Sequence, residues 1–187
     1  MPTDPLAWSA LFLTAVSPGQ VVRLLERLHA PAPAGGLLLS DPAGPRSLRA
    51  LVAPEASRAT LEALAPLLAV GLQSPVTSVY QDAAERRWGH AVHAPEAPIE
   101  RADDDWEPPP PRPFLARIVG GASTPSPAVA WAEAHDLPLT RVPAYRPKGS
   151  PRILGYETVA RLDQKKLLVE NTPRLYWFDL GGKAAAG

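Results

Sequence analysis

Residues 6–16, LAWSALFLTAV, decide the order of elements in everything that follows. Leu6, Trp8, Ala10, Phe12, Thr14 and Val16 alternate with Ala7, Ser9, Leu11, Leu13 and Ala15, which predicts a strand apolar on both faces, the pattern of a central strand. Asp4-Pro5 just upstream could equally open a helix over the same residues. The two readings lead to different folds. The run lacks a preceding Lys or Arg, so it does not read as a secretory leader, and it is too short to span a bilayer.

The next signal is local and specific. Ser17-Pro18-Gly19-Gln20 has the spacing of a capping box with Pro in the first turn, and Val21, Val22, Leu24, Leu25 and Leu28 continue it as the apolar stripe of a helix ending near His29. Gly35-Gly36 opens a short strand at 37–39, closed by Ser-Asp-Pro-Ala-Gly, and 46–52 reads as its hairpin neighbour. Leu61, Leu64, Leu67 and Leu68 predict a second helix over 55–70, kinked or interrupted at Pro66 and stopped by Gly71. Strands at 76–81 and 88–93 follow.

With 6–16 extended, the order β-α-β-β-α-β resembles the ferredoxin-like plait, a four-stranded antiparallel sheet with two helices on one face. With 6–16 helical, the remaining order resembles the roadblock-type dimerisation fold. Either is a small α+β sandwich in which Leu24, Leu28, Leu64 and Leu68 face the sheet. An open sheet edge in such a fold also predicts a homodimer.

Residues 96–114, EAPIERADDDWEPPPPRPF, mark an expected boundary, because four consecutive prolines neither continue a helix nor donate to a sheet. The organisation this predicts is a sandwich domain over 1–95, an acidic, proline-rich linker over 96–125 and a small basic module over 126–187. Charge divides along the same line. Residues before Pro111 carry 13 Asp/Glu and 8 Lys/Arg, a net of −5, and the rest carry 6 and 11, a net of +5. The formal zero of the 187-residue chain is a cancellation between its two parts.

The absence of cysteine rules out disulfides and thiolate chemistry and agrees with a cytoplasmic setting. Twenty-four prolines with an Ala, Leu and Arg bias have the style of a GC-rich bacterial coding sequence. His90 and His93 lie three apart on a strand, hence on opposite faces, and Asp103-Asp104-Asp105 reads as a solvated connector; neither predicts a metal. No nucleophile elbow or phosphate loop is present, so no catalytic residue or cofactor is expected.

The C-terminal part carries the strongest functional pattern. Between Arg141 and Arg174 eight Lys/Arg face three Asp/Glu, with Tyr145, Tyr156, Tyr176 and Trp177 close by, the combination that phosphate neutralisation and base stacking require. A helix at 126–136, a helix at 155–166 and a hairpin of 167–170 with 174–180 resemble a winged helix-turn-helix, although the proline-rich 138–151 replaces the second helix of that family. The resemblance implies that Arg161, Lys165 and Lys166 enter a groove of nucleic acid and that Arg174 touches its backbone, with Arg152, Tyr176 and Trp177 adjoining. Ser126-Pro127-Ala128-Val129, Leu139-Thr140-Arg141-Val142 and Arg152-Ile153-Leu154 are also similar to the peripheral subunit-binding module of acyltransferase complexes, without its Gly-rich turn.

The expectation is a non-enzymatic two-module protein that binds nucleic acid through its basic part. The alternative is a protein-protein adaptor, an inhibitor or immunity-type protein, or a subunit of a larger assembly, with the same basic face turned to a protein.

Overall fold

The computed structural model describes residues 7–14, 17–28, 37–53, 58–97, 99–108, 125–142, 152–154 and 174–178. Six of its strands, β1 (Ala7–Thr14), β2 (Leu37–Ser40), β3 (Leu48–Val52), β4 (Val76–Asp82), β5 (Arg87–His93) and β6 (Glu100–Asp105), pair antiparallel. The helices are α1 (Pro18–Arg27), α2 (Arg58–Leu72) and α3 (Pro127–Ala134), with a 3-10 turn at Leu139–Arg141. Strands β7 (Arg152–Leu154) and β8 (Arg174–Phe178) extend the sheet to eight, in the order β6-β5-β4-β1-β3-β2-β8-β7.

The stretch 7–14 is a strand, so the condition for the roadblock-type order is not met. Its alternation fixes its place. Leu11 and Leu13 enter one core cluster with α1 and α2, while Trp8, Ala10 and Phe12 enter another with α3. Only a strand flanked on both edges and covered on both faces satisfies that pattern; β1 pairs Leu11 with Leu51 of β3 and Ala10 with Val79 of β4.

Helix α1 begins as its capping box dictates: the Ser17 amide donates to Gln20 Oε1 at 3.0 Å and the Gln20 amide to Ser17 Oγ at 3.2 Å. Its Val21, Val22, Leu24 and Leu25 are buried. Helix α2 runs through Pro66 without ending, because burying Leu61, Leu64, Ala65, Leu68 and Ala69 outweighs one missing amide donor. Gly71 is not the expected stop. The helix continues to Leu72 and Gln73 takes the left-handed turn, φ 51°, its side chain donating to the Val70 carbonyl.

Two further expectations are corrected. Residues 100–105, read as connector, form the end strand β6, all six exposed, and the chain is anchored just beyond by Trp106, which is buried and whose amide donates to the Arg86 carbonyl at 2.8 Å. A strand this rich in carboxylates is stable there because one face and, among the described residues, one edge see solvent. Residues 137–151, read as irregular, include the 3-10 turn, whose Leu137, Leu139 and Val142 join the second core with Ala128, Val129 and Ala132 of α3. Helix α3 therefore packs on the sheet face opposite α1 and α2. Strand β8, expected in a hairpin with 167–170, has β2 on one side and β7 on the other. The expected elements at 155–166 and 167–170 lie outside the described residues.

Candidate functional site

Four of the seven sequence-derived contact residues lie on the two strands at one end of the sheet order. Strand β7 runs parallel to β8 with Arg152 in register with Arg174 and Leu154 with Tyr176, and β8 runs antiparallel to β2 with Tyr176 opposite Leu39 and Trp177 opposite Leu38. Arg152, Arg174, Tyr176 and Trp177 thus occupy adjacent backbone positions on the last two strands of the sheet order. Arg161, Lys165 and Lys166 lie outside the described residues.

A second assembly, which the sequence did not disclose, spans α2, β4, β5 and β6. Strand pairing sets Tyr80 opposite Gly89 and Gly89 opposite Asp103. The missing side chain at 89 leaves the space in which the Tyr80 hydroxyl donates to Asp103 Oδ1 at 2.5 Å. Arg58 reaches the same oxygen at 3.1 Å, donates through Nε to Glu62 Oε1 at 2.7 Å, and lies over the Tyr80 ring, 3.5 Å from its centroid. Arg101 closes the set at 3.5 Å from Glu62 Oε2. Burial, then the bond to Asp103, pushes the Tyr80 phenol up to about 12 against the pull of Arg58. Two guanidinium groups and two carboxylates cancel in charge. The chemistry available is a cross-link of β6 to α2, with Tyr80 held protonated.

His93, at the end of β5 on this same side, is 3% exposed, and neither ring nitrogen has a hydrogen-bond partner. Burial, then the charge of Arg101, holds its pKa below the ordinary histidine value, with Glu62 opposing.

On the other face the rings of His90, Trp131 and His135 stack in series. Centroids are 3.8 Å apart at 17° and 3.9 Å apart at 22°, with Trp88 at 6.0 Å from His90. Trp131 and His135 are four apart in the chain, one helical turn, which places both rings on the side of α3 nearest β5. Burial, then His135, lowers the His90 pKa. The intervening indole keeps the two imidazoles from sharing an ion, and His90 and His93 occupy opposite faces of β5, as their spacing required. Among the described residues no group of three His, Asp or Glu could hold a metal. Asp103 belongs to the Tyr80 cluster while Asp104 is in register with Trp88 on the alternate face. A groove of about 510 Å³ lies between α1 and α2, lined by Gln20, Arg23, Leu24, Arg27, Gly71 and Leu72.

No family model matches this chain, and neither the curated proteins nor the solved structures contain a match. Among the described residues no helix is long and apolar enough to cross a membrane.

Proposed function

We propose that the protein binds nucleic acid through the β8–β7 end of its sheet and the basic segment around Arg161, Lys165 and Lys166, as a cytoplasmic, non-enzymatic factor. The observation that carries this reading is the register that brings Arg152 beside Arg174 and next to the Tyr176-Trp177 pair. Adjacent cationic positions with neighbouring aromatics suit phosphate neutralisation and base stacking. The strand order β4-β1-β3-β2, with α1 and α2 on one face, supports a ferredoxin-like module as the scaffold. Sheets of that kind that read RNA stack bases on an open face. Here α3 and the 3-10 turn cover the second face over β1 and β3, so contact falls to the sheet end.

The experiment is a fluorescence-anisotropy titration of labelled duplex and single strand at two salt concentrations. Binding at about 50 mM salt that weakens steeply with added salt supports the reading, and no binding there overturns it.

The second reading, a protein-protein adaptor or homodimer, draws on the other end of the sheet. Strand β6 is exposed along its whole length and, among the described residues, has no strand paired to its outer edge. A single protein partner retained at moderate salt favours it, with Trp177→Ala, toward the opposite end of the sheet, leaving that binding intact.

A further inference from the structure

His93 is the least explained group in the molecule. Buried polar atoms are nearly always paired, yet both nitrogens of this 3%-exposed ring lack a partner. The titratable and charged groups on its side of the sheet are Arg58 and Glu62 from α2, Tyr80 from β4, and Arg101 and Asp103 from β6. Arg87, Asp82 and Asp105 lie at the far end of their strands. Glu62 is the carboxylate whose charge favours an imidazolium at 93, and Arg101 is the cation that opposes it. Those same two residues form one of the two side-chain ties between β6 and α2, the other being Arg58 with Asp103.

We propose that protonation of His93 is an acid-operated release of β6: the new imidazolium, with two N–H groups to satisfy and Arg101 beside it, takes Glu62 from Arg101 and frees the end strand from α2. The proton comes from solvent and no bond other than N–H forms. At neutral pH the ring is neutral because it is buried, and the Glu62–Arg101 contact stands. In acid, β6 keeps its backbone pairing to β5, the bonds of Asp103 to Tyr80 and Arg58 and the anchor at Trp106, but loses its tie through Arg101. Its loosening uncovers the outer edge of β5, a template on which another strand can pair. The device needs an ion pair near a buried, partnerless histidine, and the structure supplies both.

Amide hydrogen exchange of the full chain at about pH 7.5 and about pH 5.5, corrected for intrinsic rates, tests it. The expected result is a loss of protection of about tenfold or more at 100–105 in acid, with 7–14 in central β1 unchanged. His93→Gln abolishes the difference and His90→Gln keeps it. Arg101→Gln breaks the same tie to Glu62 without a proton, so protection at 100–105 is expected to be low already at about pH 7.5 with little further change in acid, which provides a readout even if the His93 variant fails to fold. Equal protection of the unaltered chain at both pH values, parallel exchange of 7–14, survival of the effect in His93→Gln, or full protection of 100–105 at about pH 7.5 in Arg101→Gln each overturns the proposal.

Discussion

The Tyr80 hydroxyl donates to Asp103 Oδ1 at 2.5 Å across the width of β5, and Gly89, the residue between them, makes that reach possible. A Cβ at 89 would stand 2.5 Å from the same Asp103 oxygen, 2.7 Å from Tyr80 Cε1 and 2.8 Å from the Ala102 carbonyl oxygen. The carbonyl is backbone and cannot swing aside. Gly89→Ala is therefore expected to destabilise by about 1 to 3 kcal/mol, measured by urea unfolding. An unchanged midpoint would contradict the packing described.

Tyr80→Phe removes the donor and leaves Asp103 to Arg58, at a cost of about 1 to 3 kcal/mol. Its phenol, pushed up to about 12, also predicts a pH effect at the alkaline end. The unfolded chain loses this proton near the ordinary tyrosine value of 10.0, earlier than the folded one, so stability is complete below that value and falls as pH rises through it. Absorbance titration should show one late phenolate that disappears in Tyr80→Phe.

The acid limb runs through His90 and His93, both with pKa values below the ordinary 6.5 in the folded chain. The unfolded chain takes up these protons first. Stability is full above about pH 6.5 and declines as pH falls below it, and His90→Gln and His93→Gln should each flatten that decline in denaturation midpoints.

Leu64 is fully buried among Leu11, Leu13, Val21 and Leu25. Leu64→Ala should cost about 2 to 5 kcal/mol, and Leu28→Ala, at the partly buried margin of the same cluster, distinctly less. Equal losses would mean that the α1–α2 layer is not organised as described.

For the proposed polyanion contact, Arg152→Ala and Arg174→Ala should each reduce the log-log salt slope by about one without altering sequence preference, as loss of a phosphate contact does. A variant that changes preference but not slope would point to a different mode.

Much of the N-terminal architecture was legible in residue spacing. Ser17 and Gln20 announced α1, because capping is a local property of the chain, whereas the two-residue period of 6–16 fitted a strand with two apolar faces but left a helix over the same residues open. Glu100–Asp105 was unreadable for the opposite reason. An end strand with solvent on one face needs no apolar alternation, so its composition is that of a connector and only pairing with Arg87–Val92 reveals it. The Tyr80–Asp103 contact was hidden behind that error, since their proximity depends on two registers at once. A signal did exist: Gly89 inside an otherwise good strand marks a close approach. The His90–Trp131 stack needed the placement of α3 on the second face, which no local pattern in 127–134 encodes.

Strand β1, flanked by β3 and β4, finds its partners about 40 and 65 residues further along the chain, and β2 meets β8 across more than 130, Leu37 beside Phe178. Such a sheet has high contact order, which places its folding among the slower classes, with loop closure preceding the contacts that reward it. During synthesis the apolar edge of β2 waits until the last strand emerges. The period in which the nascent chain can pair wrongly with a neighbour is thus set by translation rather than by the stability of the finished core.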